Sequence, residues 1–160
     1  MKGNEQGYTG QRRPGGSNNR GFNPGSRDFN EKKKERVITV ENYVEEAEDV
    51  IREIRQERDR EKELTTTKLR NLLALSSDIY NMVVHQNSDK LTEEIKSRIE
   101  YLRVRFLYEA GRDEGVRGLV ENANLLGVLK NIKGSKKNYI LFNRYMEALV
   151  AFHRYLGGKD

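Results

Sequence analysis

Few residues in this chain could do covalent chemistry. There is no cysteine, which excludes a thiol nucleophile, a Cys-ligated zinc site and a disulfide scaffold. The two histidines, His85 and His153, are far apart in sequence and offer no metal-ligand spacing. His153 falls in the middle of an apolar helical face and reads as a core histidine. His85 falls near a helix end, where a cation complements the macrodipole. No Gly-rich phosphate loop, nucleophile elbow or HExxH pattern occurs. Glu93 and Glu94 are adjacent, so they do not face each other on a helix and read as first-turn acids. No general acid–base pair emerges, and no cofactor is called for. The expectation is a binding or structural protein rather than an enzyme.

The cations carry more information. Lys68 and Arg70 open one helical pattern, and Arg103 and Arg105 interrupt an apolar stretch. Arg112 and Arg117 flank a glycine-containing connector, and Lys130, Lys133, Lys136 and Lys137 cluster around Gly134. Such positions at helix ends could converge on one surface and displace counterions from a nucleic-acid backbone. A plainer reading stands beside this one. Arg103 and Arg105 could pack their stems on the core and pair with Glu100 or Glu109, and the lysines could complement a helix C-terminus.

These residues must be positioned by helices. The chain has 160 residues, 56 of them apolar, and only four of those apolar residues lie in residues 1–36. Both prolines and seven of the 14 glycines also lie there, so residues 1–36 are expected to be a disordered Gly/Arg-rich basic tail. Arg20-Gly21-Phe22, with Tyr8 and Phe29, is similar to RGG-type segments that stack on bases; a solubilising extension is the preferred reading. Residues 37–160 are expected to form the domain, with enough apolar side chains for one compact core. Charge divides along the chain. Residues 1–36 carry 9 basic and 4 acidic side chains, residues 37–63 carry 5 and 10, and residues 64–160 carry 16 and 11.

Apolar spacing predicts a first helix from about residue 41, with Val37 to Val40 as its apolar entry and Arg55 to Glu63 fraying. Thr65, Thr66 and Thr67 offer N-caps for a second helix, and Asn87-Ser88-Asp89 is expected to end it and start the next. A third helix, roughly 90–110, carries Ile95, Ile99, Leu102, Phe106 and Ala110 on one stripe, and Gly111 is expected to stop it. Tyr101, Val104, Leu107 and Tyr108 make its second half apolar nearly all round. That predicts the central helix of the bundle or a second buried contact. Residues 113–133 predict one interrupted helix or two short ones, since Gly115, Gly118 and Gly127 weaken helix. After Gly134 as a C-cap, Ser135 caps a last helix over 136–156. Its core face is Tyr139, Phe142, Tyr145, Met146, Leu149 and His153, with Asn143, Arg144, Glu147 and Arg154 opposite. The fold class expected is all-α, a compact bundle of about five helices with a disordered N-terminal tail.

Four stretches together resemble one known family. They are Tyr43-Val44-Glu45-Glu46-Ala47-Glu48, then Leu64-Thr65-Thr66-Thr67-Lys68-Leu69-Arg70-Asn71-Leu72-Leu73. The third is Tyr101-Leu102-Arg103-Val104-Arg105-Phe106-Leu107-Tyr108-Glu109-Ala110-Gly111-Arg112. The last is Arg144-Tyr145-Met146-Glu147-Ala148-Leu149-Val150-Ala151-Phe152, followed by Tyr155-Leu156-Gly157-Gly158-Lys159-Asp160. In order and spacing they resemble the small subunit of the type III-A CRISPR–Cas effector, the Csm complex. The tail and the charged stretch from Arg55 to Glu63 lie outside the match. The resemblance implies a helical bundle without catalytic activity, stacked in several copies along a filament of backbone subunits. It implies contact with target RNA paired to guide crRNA, with cleavage chemistry left to the backbone and large subunits. Because base pairing reads the sequence, such a protein needs cations on the strand backbone and no base-edge code.

Carried over residue by residue, the resemblance assigns RNA contact to Lys68, Arg70, Arg103, Arg112 and Arg144. Lys136, Lys137 and Arg117 join them on local charge. The alternative function is a structural scaffold whose basic face binds protein neighbours rather than RNA, with the acidic first helix of one copy facing the basic body of the next. A helix-turn-helix duplex reader, using Gly134-Ser135 as its turn, lacks a polar recognition face. No apolar run approaches the ~20 residues that span a bilayer, and the start of the chain has no apolar signal region. A cytoplasmic protein with no membrane partner is expected.

Overall fold

The computed structural model describes residue 3, residues 35–56 and residues 63–160. The tail reading for residues 1–36, save at 3, 35 and 36, and the fraying expected from Arg55 to Glu63, save at 55, 56 and 63, therefore lie outside the described residues. Six helices follow in order among the described residues: α1 (Tyr43–Gln56), α2 (Thr66–Val84), α3 (Glu93–Arg112), α4 (Glu114–Asn122), α5 (Leu125–Lys130) and α6 (Lys136–Tyr155). The all-α expectation holds. The uncertain segment resolves into two short helices, α4 and α5, which raises the count from about five to six.

The caps fall largely where the residue types put them. Thr65 accepts from the Lys68 N–H and Ser135 from Asn138, each filling one of the free donors of a first turn; α3 starts later than Asn87-Ser88-Asp89, with Thr92 accepting from Ile95. Gly111 is a correction: it lies inside α3, which continues to Arg112. The stop is Asp113, in extended backbone at φ −141°. Its own N–H bonds back to Glu109, and its carboxylate accepts from Val116 at 2.9 Å to open α4. One acidic residue thus ends one helix and starts the next.

The third helix is not the centre of the bundle. That place belongs to α6, which packs on α1, α2 and α5 and buries Tyr139, Phe142, Tyr145, Met146 and Leu149 completely. Phe142 sits between Phe106 of α3 and Tyr139, with ring centroids 6.3 and 5.8 Å away. α2 runs antiparallel to α6. Tyr139 Oη donates to Ser76 O at 2.7 Å, the Thr66 N–H donates to Lys159 O at 2.7 Å, and at the other end Lys136 N–H donates to Asp89 O at 2.9 Å. α3 then turns back along α2, bringing its C-terminus beside the start of α2.

Two polar residues depart from the amphipathic pattern. Asn143, expected opposite the core face of α6, is buried, with Oδ1 2.9 Å from the Ser76 hydroxyl of α2. Arg36, grouped with the tail above, is also buried. Its guanidinium reaches Glu46 and Glu53 of α1, both at 2.5 Å, and donates to Asn122 O at 2.8 Å. Burial opposes its charge, but the two carboxylates outweigh that and raise its pKa. His153 is buried as expected.

Candidate nucleic-acid interface

The antiparallel pairing of α2 with α3 opens a cleft at the end of the bundle where α3 gives way to α4. Its volume is about 350 Å³, and Lys68, Asn71, Arg105, Glu109, Arg112 and Asp113 supply its polar lining. Lys68 stands in the first turn of α2. Its Nζ donates to Glu63 O at 3.1 Å and pairs with Asp113 at 2.7 Å. Burial works against the Asp113 charge, but Lys68 and the Val116 N–H hold its carboxyl below the usual carboxylate range. Arg112, in the last turn of α3, lies over the Tyr108 ring at 5.3 Å and 3.8 Å from Glu109. Arg105 approaches the same carboxylate at 3.6 Å.

Lys68 and Arg112 are thus brought together, and Arg105 joins them. Sequence reasoning noted Arg105 but left it out of the candidate set. Its signal was the spacing: seven residues before Arg112 is two helical turns, so the two share one face. Arg103, two residues earlier, points about 200° round the helix by the same geometry. It pairs with Glu100 at 2.7 Å. The pairing foreseen in the plainer reading is therefore present for Arg103 and Arg105. Arg117 is also engaged: its Nε donates to Ala110 O at 3.2 Å, closing the end of α3, and it lies 3.4 Å from Glu114.

The remaining candidates stand apart from the cleft. Lys136 donates to Val84 O at 3.4 Å and to Gln86 O, so it complements the C-terminus of α2. Lys68 and Val84 are 16 residues apart on that helix, or about 24 Å. Lys137 beside it, Arg70 on α2 and Arg144 on α6 are exposed and make no side-chain hydrogen bond or ion pair among the described residues. The eight candidates therefore form one group at the cleft, one at the far end of α2, and single cations on α2, α3, α4 and α6. The arrangement can hold phosphates at separated points; it offers no convergent set for acid–base chemistry.

Comparison with known proteins gives a consistent result. A family profile described as Csm2 Type III-A matches residues 37–159. The chain is 40% identical over 124 residues to a protein of Streptococcus thermophilus named "CRISPR system Cms protein Csm2", covering 78% of this chain and 98% of that one. A protein of the same name from Mycobacterium tuberculosis (strain CDC 1551 / Oshkosh) is 41% identical over 123 residues, 77% of this chain and 98% of the relative. One from Enterococcus italicus is 39% identical over 95 residues, 58% of this chain and 67% of the relative.

Proposed function

The chain belongs to the Csm2 type III-A family, the small subunit of the Csm effector complex, and from that premise we propose that it holds the backbone of target RNA paired to guide crRNA. It does so without chemistry of its own and without reading sequence. Several copies stack along the guide–target duplex beside the backbone and large subunits, in antiviral defence in the cytoplasm. The observation that supports this reading is the placement of the cations. Lys68, Arg105 and Arg112 line one cleft, while Arg70, Lys137 and Arg144 stand exposed with no carboxylate engaged among the described residues. Separated cations without a polar recognition helix suit a strand backbone, where position matters and base identity does not.

One observation favours the scaffold reading. Asp113 and Glu109 already partner the three cleft cations, and a phosphate would have to compete with them. The decisive experiment is target-RNA retention by the effector assembled with an Arg70→Glu, Arg112→Glu subunit. Retention should fall, and the log–log salt slope should flatten by about 0.7 for each single-strand phosphate contact removed. Unchanged retention with a native helical dichroism spectrum would assign the basic face to protein neighbours.

A further inference from the structure

Two apolar patches stand exposed among the described residues, one flanked by arginines and the other by glutamates. The first is on α3. Tyr101, Val104, Leu107 and Tyr108 are 62%, 56%, 56% and 56% exposed. Val104 lies three or four residues from each of the others, so the four form one contiguous patch. Arg103 and Arg105 flank Val104 on either side, each paired with a glutamate of the same helix. The second patch is the entry to α1, where Val37, Val40 and Val44 are 60%, 65% and 45% exposed. Its backbone is pinned: Asn42 Oδ1 accepts from the Thr39 N–H at 2.7 Å, and Asn42 Nδ2 donates to Val37 O at 3.0 Å. Exposed Glu41 and Glu45 border it. Contiguous exposed apolar groups with a polar rim mark contact surfaces.

From these observations, and resting on the stacked-copy reading above, we infer that the Tyr101–Val104–Leu107–Tyr108 face of one copy docks on the Val37–Val40–Val44 face of the next. The two patches do not cover each other among the described residues, since all seven side chains stay exposed. α1 packs on α4 and α6, whereas α3 packs on α2, α4 and α5. The charge split supports a second copy as occupant: residues 37–63 carry 5 basic and 10 acidic side chains, and residues 64–160 carry 16 and 11. Unlike patches meeting head to tail make a heterologous contact, which propagates rather than closing as a dimer. RNA is the weaker occupant for the α3 patch: Tyr101 and Tyr108 offer rings, but Arg112 already lies over the Tyr108 ring and Val104 and Leu107 between the two tyrosines give a base nothing to stack on.

The chain lacks cysteine, so single thiols report the contact cleanly. Full-length Val44→Cys and Val104→Cys subunits, one isotopically labelled, are mixed and treated with a short bis-maleimide. The reaction is run on the free chain at low salt and on the assembled effector, with Ser88→Cys as an off-patch control. All three sites are exposed, and dichroism checks that each variant folds. The expected result is a 44–104 product several-fold above the 44–44, 104–104 and Ser88→Cys products in at least one of the two settings, falling as salt is raised. Products in random proportion in both settings overturn the inference. So does loss of RNA retention in Tyr101→Ala, Tyr108→Ala with crosslinking at random level, which would make the α3 face an RNA surface. The crosslink needs no RNA, so it can succeed where the Arg70, Arg112 experiment fails, and the reverse.

Discussion

His153 shows what a buried titratable residue does when it has no catalytic task. Its Nε2 faces Leu64 O at 2.9 Å, and a carbonyl can only accept, so Nε2 carries the proton. Nδ1 is then free to accept from the Thr66 hydroxyl at 3.1 Å. Burial lowers the pKa of the ring, the Leu64 carbonyl opposes that, and Arg55 adds to it. The unfolded chain therefore takes up the proton more readily than the folded one. This contribution to stability is whole above the unfolded value of about 6.5 and is lost as the pH falls through the folded value. The melting temperature should fall between about pH 7 and pH 5, above the range where most carboxylates titrate. His153→Gln can still donate to Leu64 O and accept from Thr66, so it should flatten that dependence in thermal melts. The core position of His153 was legible from its apolar face. The buried role of Asn143 was not, because the pattern of one helix assigns a polar residue to solvent and only Ser76 on a neighbouring helix reverses that.

At the scale of elements, α4 sets two glycines of one short helix against each other. A Cβ on Gly115 would lie 2.8 Å from the backbone of Glu63 and Leu64, whereas a Cβ on Gly118 would meet nothing within 4 Å. Gly118→Ala should therefore stabilise the protein by about 0.5–1 kcal/mol, the usual difference between the two residues in a helix. Gly115→Ala should destabilise it, since main-chain atoms cannot move aside cheaply. Denaturant midpoints of the two variants give the comparison directly. Both glycines read alike in the sequence, as weak points of a helix; which of them a neighbouring segment presses against is a fact of packing. α3 makes the same point for apolar residues. Its nearly all-round apolar second half predicted a central helix or a second contact. α6 took the centre, and four α3 side chains were left facing outward.

Across the whole molecule, the cation groups are separated by most of the length of α2. Arg112 and Lys137 share no partner among the described residues, so reversing each to Glu should weaken target-RNA retention by free energies that add. Additivity within about 0.5 kcal/mol is expected of distant sites, and retention titrations of the two single variants and the double test it. A double variant no weaker than one single variant would mean that only one of the two touches the strand. Arg36 is the other long-range feature. It joins the segment before α1 to α1 and to the end of α4. Its immediate neighbours in sequence do not announce that role, because its partners Glu46, Glu53 and Asn122 lie 10, 17 and 86 residues further along the chain.

The sequence by itself determined the helical class, a cap within Thr65-Thr66-Thr67 and one at Ser135, the apolar face of α6 and the family, because these depend on residue types at local spacing. The tertiary structure decided which helix stands at the centre, which polar residues are buried, and which cations share a cleft. Those outcomes depend on what each helix face meets across the bundle. A pattern of period 3.6 says which residues share a face, and says nothing of what that face will touch.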